Sequence, residues 1–324
     1  MDNENQFFNQ RVDLSDLKAT VAKIKTELGK IIIGQHHLID LMITALFSDG
    51  HVLIEGVPGI AKTLTAKALA RIIDSKFNRI QFTPDLMPSD LLGTSMYNLK
   101  NSRFEFHQGP LFTNLVLIDE VNRAPAKTQA ALFEVMEERQ ITVDGQTYPM
   151  QEPYMVLATQ NPIEQEGTYR LPEAQLDRFL FRIKINYPSE NEEVSILKDF
   201  PQSRKVEKLN VFLDSASILA IREKVQTIHV EDDLRNYIVK MVQSTRNHPD
   251  LYLGASPRAS IAVFLASKTF AAIQGRDFVT PEDIQFVFLP ALNHRIILSP
   301  EREMEGSQPE DILNRIIEKT DVPR

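Results

Sequence analysis

The sequence predicts an α/β domain with a mostly parallel sheet, followed by a second, mainly helical domain. From residue 51 to about residue 187, short apolar strands alternate with amphipathic helices, which is typical of a parallel sheet covered by helices. A glycine-containing loop at residues 56–63 joins the first of these strands to a helix. After about residue 187 helical patterns continue while strand signals become scarce. We therefore assign residues 1–15 to an N-terminal tail, 16–195 to the α/β domain and 196–324 to the helical domain, with the boundary between about 187 and 205.

The individual elements follow from periodicity and from turn residues. Helical spacing of apolar residues predicts two helices before the first strand, "DLKATVAKIKTELGKII" and "GQHHLIDLMITALFSDG". Strands are predicted at "HVLIEG", "RIQF", "NLVLIDE", "YMVLATQN" and "FLFRIKIN", the last with alternating apolar and polar positions. Helices are predicted at "KTLTAKALARIID" and "KTQAALFEVMEE", and Asp144-Gly145 predicts a type I′ hairpin in "ITVDGQTYPM". Further helical patterns cover residues 191–199, 215–225, 231–247, 257–273, 281–289 and 309–318.

The composition excludes several classes of protein. The chain has 324 residues, a net charge of −8 and no cysteine, so disulfides and thiolate metal sites are excluded. The acidic balance disfavours nonspecific binding to DNA or to membranes, and we expect no nucleic-acid partner. No apolar run approaches the roughly 18 residues of a membrane span, and the polar N-terminus lacks the architecture of a signal peptide. The expected compartment is the cytoplasm.

The loop "GVPGIAKT" at residues 56–63 nearly fits the phosphate-binding pattern G-x-x-x-x-G-K-[ST], but Ala61 replaces the second glycine. A strand before the loop and a helix after it provide the context that a phosphate-binding loop needs. Lys62 would reach the β- and γ-phosphates, and the Thr63 hydroxyl would bind Mg²⁺. We expect helical φ and ψ angles at Ala61, because this position opens the helix and an L-residue can adopt them. Gly59 is the expected position of unusual backbone angles.

Two acids end the apolar strand "LVLIDE", at the edge of the sheet where α/β proteins bind their ligands. Asp119 could hold Mg²⁺, and Glu120 could polarise the attacking water; an acidic cap of the following helix is the alternative. A phosphoryl acceptor other than water would not need the second acid, so the pair favours ATP hydrolysis over kinase chemistry. Asn161, in "LATQNP", could hold the attacking water or contact the γ-phosphate, or it could be a turn residue before a proline.

Two arginines are candidates for the cation that stabilises charge developing on the γ-phosphate. Arg178 lies in "LPEAQLDRF" and Arg258 lies in "GASPRAS", in the helical domain. For either residue alone, a surface arginine without a catalytic role is the alternative.

These motifs, in this order, resemble the MoxR family of AAA+ ATPases. The resemblance runs from about Leu17 to Leu292 and is carried by "EGVPGIAKT", "GPLFTNLVLIDEVNRAPAKTQAALFEVMEER", "LATQNP", "EGTYRLPEAQLDRF" and "GASPRA". It implies a P-loop AAA+ core with a mostly parallel sheet flanked by helices, followed by a smaller all-helical lid domain. It also implies that ATP and Mg²⁺ are the cofactors.

The resemblance assigns roles to residues of this chain. Asp119 and Glu120 become Walker B, Asn161 becomes sensor 1, Arg258 becomes sensor 2, and Arg178 becomes an arginine finger that acts on a neighbouring subunit. Thr63 and Asp119 are the implied metal ligands. Arg123 and Arg170 are near the implied subunit interface, and their roles stay open. The implied nucleotide-binding residues are Ile33, Gly34, Gln35, Gly56, Val57, Pro58, Gly59, Ile60, Ala61, Lys62, Thr63 and Leu64. Of these, Ile33, Gly34 and Gln35 would lie near the adenine.

The implied assembly is a homo-oligomeric ring, commonly a hexamer, because the finger acts on a neighbour. The segments at about 82–107 and 140–152 would line its central pore. MoxR-like ATPases resemble chaperones that mature or activate partner proteins, often ones with a von Willebrand factor A domain. The sequence leaves three alternatives open: the ATPase subunit of a metal chelatase, a DNA-linked motor, and a nucleotide-binding scaffold without hydrolysis.

Overall fold

The computed structural model describes residues 13–57, 62–161, 169, 171–199 and 206–323. The strands are β1 His51–Glu55, β2 Phe77–Gln81, β3 Gly93–Asn98, β4 Arg103–Gln108, β5 Leu115–Asp119, β6 Gln140–Val143, β7 Gln146–Pro149, β8 Met155–Gln160, β9 Phe179–Lys184, β10 Leu251–Leu253 and β11 Ile297–Leu298. The helices are α1 Ser15–Gly29, α2 His36–Phe47, α3 Lys62–Ile72, α4 Pro88–Leu92, α5 Ala126–Glu138, α6 Glu173–Leu176, α7 Glu190–Asp199, α8 Ser215–Gln226, α9 Asp232–Arg246, α10 Pro257–Ile273, α11 Pro281–Leu292, α12 Pro300–Met304 and α13 Pro309–Lys319. Short 3₁₀ turns cover Val121–Arg123 and Val206–Lys208.

The chain divides into two compact units. The sheet unit comprises residues 26–39 and 49–218, and the helical unit comprises residues 1–25, 40–48 and 219–324, so far as they are described. Of the residues before the first strand, 1–25 and 40–48 belong to the helical unit and 26–39 to the sheet unit. The domain bounds expected from the sequence stay predictions. At the N-terminus, the Leu14 side chain is buried and α1 begins at Ser15, both within the range expected to form a tail.

A five-stranded sheet in the order β2-β5-β8-β1-β9 organises the sheet unit, and all four strand pairings are parallel. Every residue of β1 and β5 is buried, which is what apolar strands covered on both faces require. The side chains of α5 pack into the same core, where the Phe133 ring contacts the Phe179 ring edge-on at 5.9 Å. The expected alternation is present in β9 from Phe181 to Lys184, whereas Leu180 before it is buried as well. The fold class itself is confirmed.

Two hairpins project from this unit and contact each other. The predicted turn between β6 and β7 is present, with φ of 51° at Asp144 and 76° at Gly145, the positive values that a type I′ turn needs. The antiparallel β3–β4 hairpin lies within the segment 82–107. Phe106 of β4 stacks on Tyr148 of β7 at 4.6 Å, and Ser95 donates a hydrogen bond of 2.5 Å to Asp144. The hairpins therefore form one packed pair.

The helical unit contains five of the six helical patterns predicted after residue 190, since α7 belongs to the sheet unit, together with two short additions. The sequence patterns match α8, α9, α10, α11 and α13 closely, whereas the five-residue α12 and the two-stranded ladder of β10 with β11 were not predicted. The Phe270 and Phe286 rings stack at 3.9 Å between α10 and α11. This packing fixes α10, whose first turn contains Arg258.

Candidate active site

The candidate active site lies at the carboxyl ends of three neighbouring strands of the sheet, β5, β8 and β1. The strand β1 pairs with β8 on one side and with β9 on the other, so the strand order reverses here. Open α/β sheets bind ligands outside the carboxyl ends of their strands at such a position. The residues that follow these three strands therefore define the site.

The Lys62 side chain contacts the backbone at the start of the loop that follows β1. Gly56 is buried, Val57 is half-buried, and Lys62 is the first residue of α3. The Lys62 Nζ donates a hydrogen bond of 2.6 Å to the Gly56 carbonyl oxygen. A cation and the N-terminus of a helix thus lie at one end of the loop, an arrangement that favours anions such as phosphate. Thr63 and Leu64 follow in the first turn and are half-buried.

Four residues of this loop, Pro58, Gly59, Ile60 and Ala61, lie outside the described residues. The expectations about the backbone at Gly59 and Ala61 therefore stay predictions.

Asp119, the last residue of β5, is buried and is held from both neighbouring strands. Its Oδ2 accepts a charged hydrogen bond of 2.6 Å from Arg79 Nε of β2. Its Oδ1 accepts a hydrogen bond of 3.1 Å from the Thr159 hydroxyl of β8. The Thr159 oxygen in turn accepts the Glu120 backbone N–H at 3.1 Å. The position of this carboxylate is therefore fixed by residues of three strands.

Glu120 adopts a left-handed conformation, with φ of 57° and ψ of 52°. Such angles cost on the order of 1 kcal/mol for a residue with a Cβ and concentrate at functional sites. The Glu120 Oε2 accepts hydrogen bonds from Gln81 Nε2 at 2.8 Å and from Arg123 Nε at 2.9 Å. The side chain is 31% exposed, so the carboxylate is oriented by two donors and still reaches solvent.

Asn161 lies one residue beyond β8 and is buried, with 7% of its surface exposed. At the preceding residue, the Gln160 carbonyl oxygen accepts a long hydrogen bond of 3.4 Å from the Gly56 N–H. The end of β8 is thereby tied to the loop that follows β1. The structure thus places Lys62, Asp119, Glu120 and Asn161 after neighbouring strands at one edge of the sheet.

The expected arginines lie in different surroundings. Arg178 follows α6 and forms an ion pair with Glu137, with its Nε at 2.7 Å and its Nη2 at 2.5 Å from the Glu137 Oε2. Arg258 is the second residue of α10 and is exposed. Arg123 pairs with Glu120 of its own chain, and Arg170 lies outside the described residues.

The segment expected near the adenine, Ile33 to Gln35, connects α1 to α2 and is half-buried. Gly34 has a φ of +76°, and a Cβ at this position would lie 2.2 Å from the Glu192 Oε1. The Glu192 carboxylate is itself fixed, because its Oε2 accepts hydrogen bonds from the Ser189 N–H at 2.7 Å and from the Ser189 hydroxyl at 2.8 Å. The backbone angle therefore favours glycine, and a Cβ would also displace the Glu192 side chain.

Comparisons with known proteins identify the family. The profile of the ATPase family associated with various cellular activities (AAA) matches residues 51–181, and that of the AAA lid domain matches residues 243–316. The chain is 45% identical to uncharacterized protein YeaC of Bacillus subtilis over 308 residues, 95% of this chain and 96% of that protein. It is 41% identical to Chaperone MoxR1 of Mycobacterium tuberculosis over 318 residues, 94% of this chain and 83% of that protein. The chain belongs to the MoxR family of AAA+ ATPases.

A solved structure supports the same assignment for this MoxR-family chain. The crystal structure of a candidate ATPase from Cytophaga hutchinsonii superposes with a TM-score of 0.89 at 40% identity, covering 96% of this chain and 97% of that one. No helix in the described part of the chain has the length and apolar character that crossing a membrane requires.

The residues of this MoxR-family chain fit Mg²⁺ and ATP in their chemistry. Mg²⁺ prefers oxygen ligands and is usually held by one or two protein groups together with phosphates. Asp119 offers a buried, oriented carboxylate, and Thr63 lies in the first turn of α3. Arg79, which now neutralises Asp119, is 48% exposed and can share this carboxylate or move away from it.

An open cavity of about 540 Å³ lies elsewhere on the sheet unit. Among the described residues, Leu64 is the one expected site residue in its lining, and neither Asp119 nor Glu120 lines it. The lining residues are Leu64, Lys67, Ala70, Arg71, Asp74, Ser75, Phe77, Val206 and Glu207. We therefore place the active site at the strand ends and not in this cavity.

The sequence analysis missed three residues that hold the acids: Arg79, Gln81 and Thr159. Arg79 and Gln81 are alternate residues of β2, and Gln81 pairs in register with Asp119. In the sequence, these residues appear as two polar side chains in "RIQF" and as a threonine in the otherwise apolar "VLAT". Neither signal indicates a role until the neighbouring strand is known.

Proposed function

We propose that this MoxR-family chain binds and hydrolyses ATP with Mg²⁺ in a ring and uses the energy to remodel or activate a partner protein. The observation that carries the proposal is the convergence of Lys62, Asp119, Glu120 and Asn161 at one edge of the sheet. A cation for phosphate, a carboxylate for a metal, and a second carboxylate beside an amide are the groups that hydrolysis of a phosphoanhydride requires. The described segment at Ile33, Gly34 and Gln35 would contact the adenine.

In the proposed mechanism, the loop 56–63 holds the phosphates, and Lys62 exchanges the Gly56 carbonyl oxygen for the β- and γ-phosphate oxygens. Thr63 and Asp119 would hold Mg²⁺, which neutralises charge on the phosphates. The buried Thr159 donor would keep the orientation of the Asp119 carboxylate when Arg79 shares this carboxylate with the metal or moves away from it.

Glu120 would orient and polarise the attacking water. Its carboxylate must face the γ-phosphate, and its left-handed backbone and the donors Gln81 and Arg123 restrict where it can point. Asn161 would hold the same water or contact the γ-phosphate. If Glu120 and Asn161 hold the water in line with the γ-phosphate, its attack no longer depends on a random encounter in solution.

Arg178 would stabilise the developing negative charge in the site of a neighbouring subunit, and Arg258 would contact the nucleotide from the lid domain. This role for Arg178 requires a homo-oligomer, and a hexameric ring is our proposal. The hairpins β3–β4 and β6–β7 would face its pore. Exposed apolar side chains on the first hairpin, among them Leu99 at 84% and Phe104 at 72%, suit contact with a protein client.

The client would be a protein, with a von Willebrand factor A domain protein as one candidate, and the expected compartment is the cytoplasm. The relative named Chaperone MoxR1 supports a chaperone-like role. We retain residues 16–195 as the proposed nucleotide-binding domain and 196–324 as the proposed lid.

Two substitutions test the proposed hydrolysis. Lys62→Ala should abolish nucleotide binding because it removes the cation at the loop, as measured with a fluorescent ATP analogue. Glu120→Gln should keep ATP affinity within about threefold and lower kcat by about 10²–10⁴-fold, the usual contribution of a general base. Steady turnover by Glu120→Gln would refute the assigned base. The same variant, loaded with ATP, should retain a client in a pull-down that Lys62→Ala does not.

A further inference from the structure

The helix α5 ends in a turn with an unfavourable charge distribution. Three of its last five residues are glutamates: Glu134, Glu137 and Glu138. No basic side chain lies in its last turn. The carboxyl end of a helix carries partial negative charge, so acids at this end oppose the helix dipole. Helix stability therefore does not explain the presence of these glutamates at the carboxyl end of α5.

For Glu137, the structure offers a specific partner. Arg178 directs both its Nε, at 2.7 Å, and its Nη2, at 2.5 Å, at the Glu137 Oε2. The Arg178 Nη1 additionally approaches the Ala174 carbonyl oxygen at 3.4 Å. A guanidinium is planar and rigid, so these contacts fix its orientation as well as its position. The Arg178 side chain is 26% exposed and the Glu137 side chain is 36% exposed.

We propose that Glu137 is a positioning residue, which holds the Arg178 guanidinium in the orientation from which it acts on the neighbouring subunit. This inference rests on the proposed function of Arg178 as a finger. An arginine on a short connection between α6 and β9 would otherwise sample many rotamers, and ordering it at the moment of reaction would cost entropy. Because of the ion pair, the Arg178 side chain is already ordered before the subunits assemble.

The same helix connects the finger to the subunit's own acids. Glu120 precedes the turn Val121–Arg123, and α5 begins three residues later at Ala126 and carries Glu137 in its last turn. Its buried side chains Leu132, Phe133 and Met136 belong to the core of the sheet unit. A displacement at Glu120 can therefore reach Arg178 through one packed helix.

Complementation between two inactive subunits tests the inference. A donor with Lys62→Ala cannot bind ATP but keeps its finger, and an acceptor with Arg178→Ala binds ATP but lacks a finger. In a mixture, ATP is hydrolysed only where an acceptor site meets a donor finger. Adding Glu137→Gln to the donor should lower the kcat of the mixture by about tenfold with KM for ATP nearly unchanged, as expected for a misplaced group. Adding it to the acceptor should change nothing.

The matched control is Glu138→Gln in the donor, the same change one residue along the helix, at a carboxylate without an ion pair among the described residues. It should leave complementation intact, and Glu137→Asp should restore part of the loss. If the parent donor and acceptor do not complement, the finger itself is refuted and the inference falls with it. If they do complement and Glu137→Gln in the donor has no effect, the inference alone is overturned.

A second measurement does not depend on activity. In urea unfolding of the full chain, Glu137→Gln should lower the midpoint in the wild-type background and have no effect in an Arg178→Gln background. The effect of Glu138→Gln should be the same in both backgrounds. Additive effects of Glu137→Gln and Arg178→Gln would show that the pair is not coupled and would overturn the inference.

Discussion

Thr159→Val removes one hydroxyl from the centre of the site and leaves the shape of the side chain nearly unchanged. Thr159 is 2% exposed, and its hydroxyl donates to the Asp119 carboxylate at 3.1 Å and accepts the Glu120 N–H at 3.1 Å. A hydrogen bond to a charged group contributes about 1.5–3 kcal/mol, and an unpaired buried N–H costs about 1–3 kcal/mol. The extra methyl group recovers about 1 kcal/mol of burial. The free energy of unfolding should therefore fall by about 1.5–5 kcal/mol.

The assay is urea unfolding followed by circular dichroism, because the chain has no tryptophan to report by fluorescence. Thr128→Val is the matched control: the Thr128 hydroxyl is as deeply buried but donates to a neutral acceptor, the Leu86 carbonyl oxygen, at 2.6 Å. This control should cost about 1 kcal/mol. Thr159→Ser keeps both hydrogen bonds and should preserve kcat, whereas Thr159→Val should lower it. Equal stability of Thr159→Val and Thr128→Val, with an unchanged kcat, would refute the reasoning.

Two further predictions concern the adenine segment and the first hairpin. Gly34→Ala should lower the free energy of unfolding by about 2 kcal/mol, because the φ of +76° becomes strained and the Glu192 carboxylate must move; a urea midpoint equal to that of the wild type would contradict this. Hydrogen bonds to Glu105 from Asn98, Asn101 and Arg103 lower the pKa of its carboxyl to about 2. Because the folded-state pKa is depressed, the stabilisation of the hairpin is complete above a pH of about 4.5 and is lost as the pH falls through about 2. Side-chain carboxyl chemical shifts measured by NMR check this, and a midpoint near 4.5 would show that these hydrogen bonds do not form in solution.

Much of the fold could be predicted because apolar burial determines the sequence pattern of the large elements. The strands of the main sheet and the long helices are apolar or amphipathic over their whole length, so periodicity locates them. The β3–β4 hairpin has no such pattern, because Met96, Tyr97 and Phe104 are apolar yet more than half exposed. The helix α11 was predicted to end at residue 289, before Pro290, but it continues to Leu292. Burial of Pro290, Ala291 and Leu292 outweighs the lost hydrogen bond.

In the candidate site too, local motifs could be predicted from the sequence, whereas contacts that depend on long-range strand pairing could not. The positions of Lys62, Asp119, Glu120 and Asn161 near the ends of strands could be predicted because each belongs to a motif that is local in the chain; their roles in hydrolysis stay proposals. The donors that orient the acids could not, since Arg79 and Thr159 reach Asp119 only through the strand order β2-β5-β8. That order depends on which strands pair at long range, and the sequence pattern within each strand contains no information about it.

The packing of the two hairpins has a mechanical consequence. Phe106 stacks on Tyr148, and Ser95 is bonded to Asp144, so the hairpins cannot move separately without breaking an aromatic contact and a hydrogen bond. The strand β6 begins at Gln140, one residue after the Arg139 cap that ends α5. A rotation of α5 would therefore move the tips of both hairpins together as one rigid unit. Under the proposed function, a client polypeptide in contact with Leu99 and Phe104 would be displaced by both hairpins together and not by one loop.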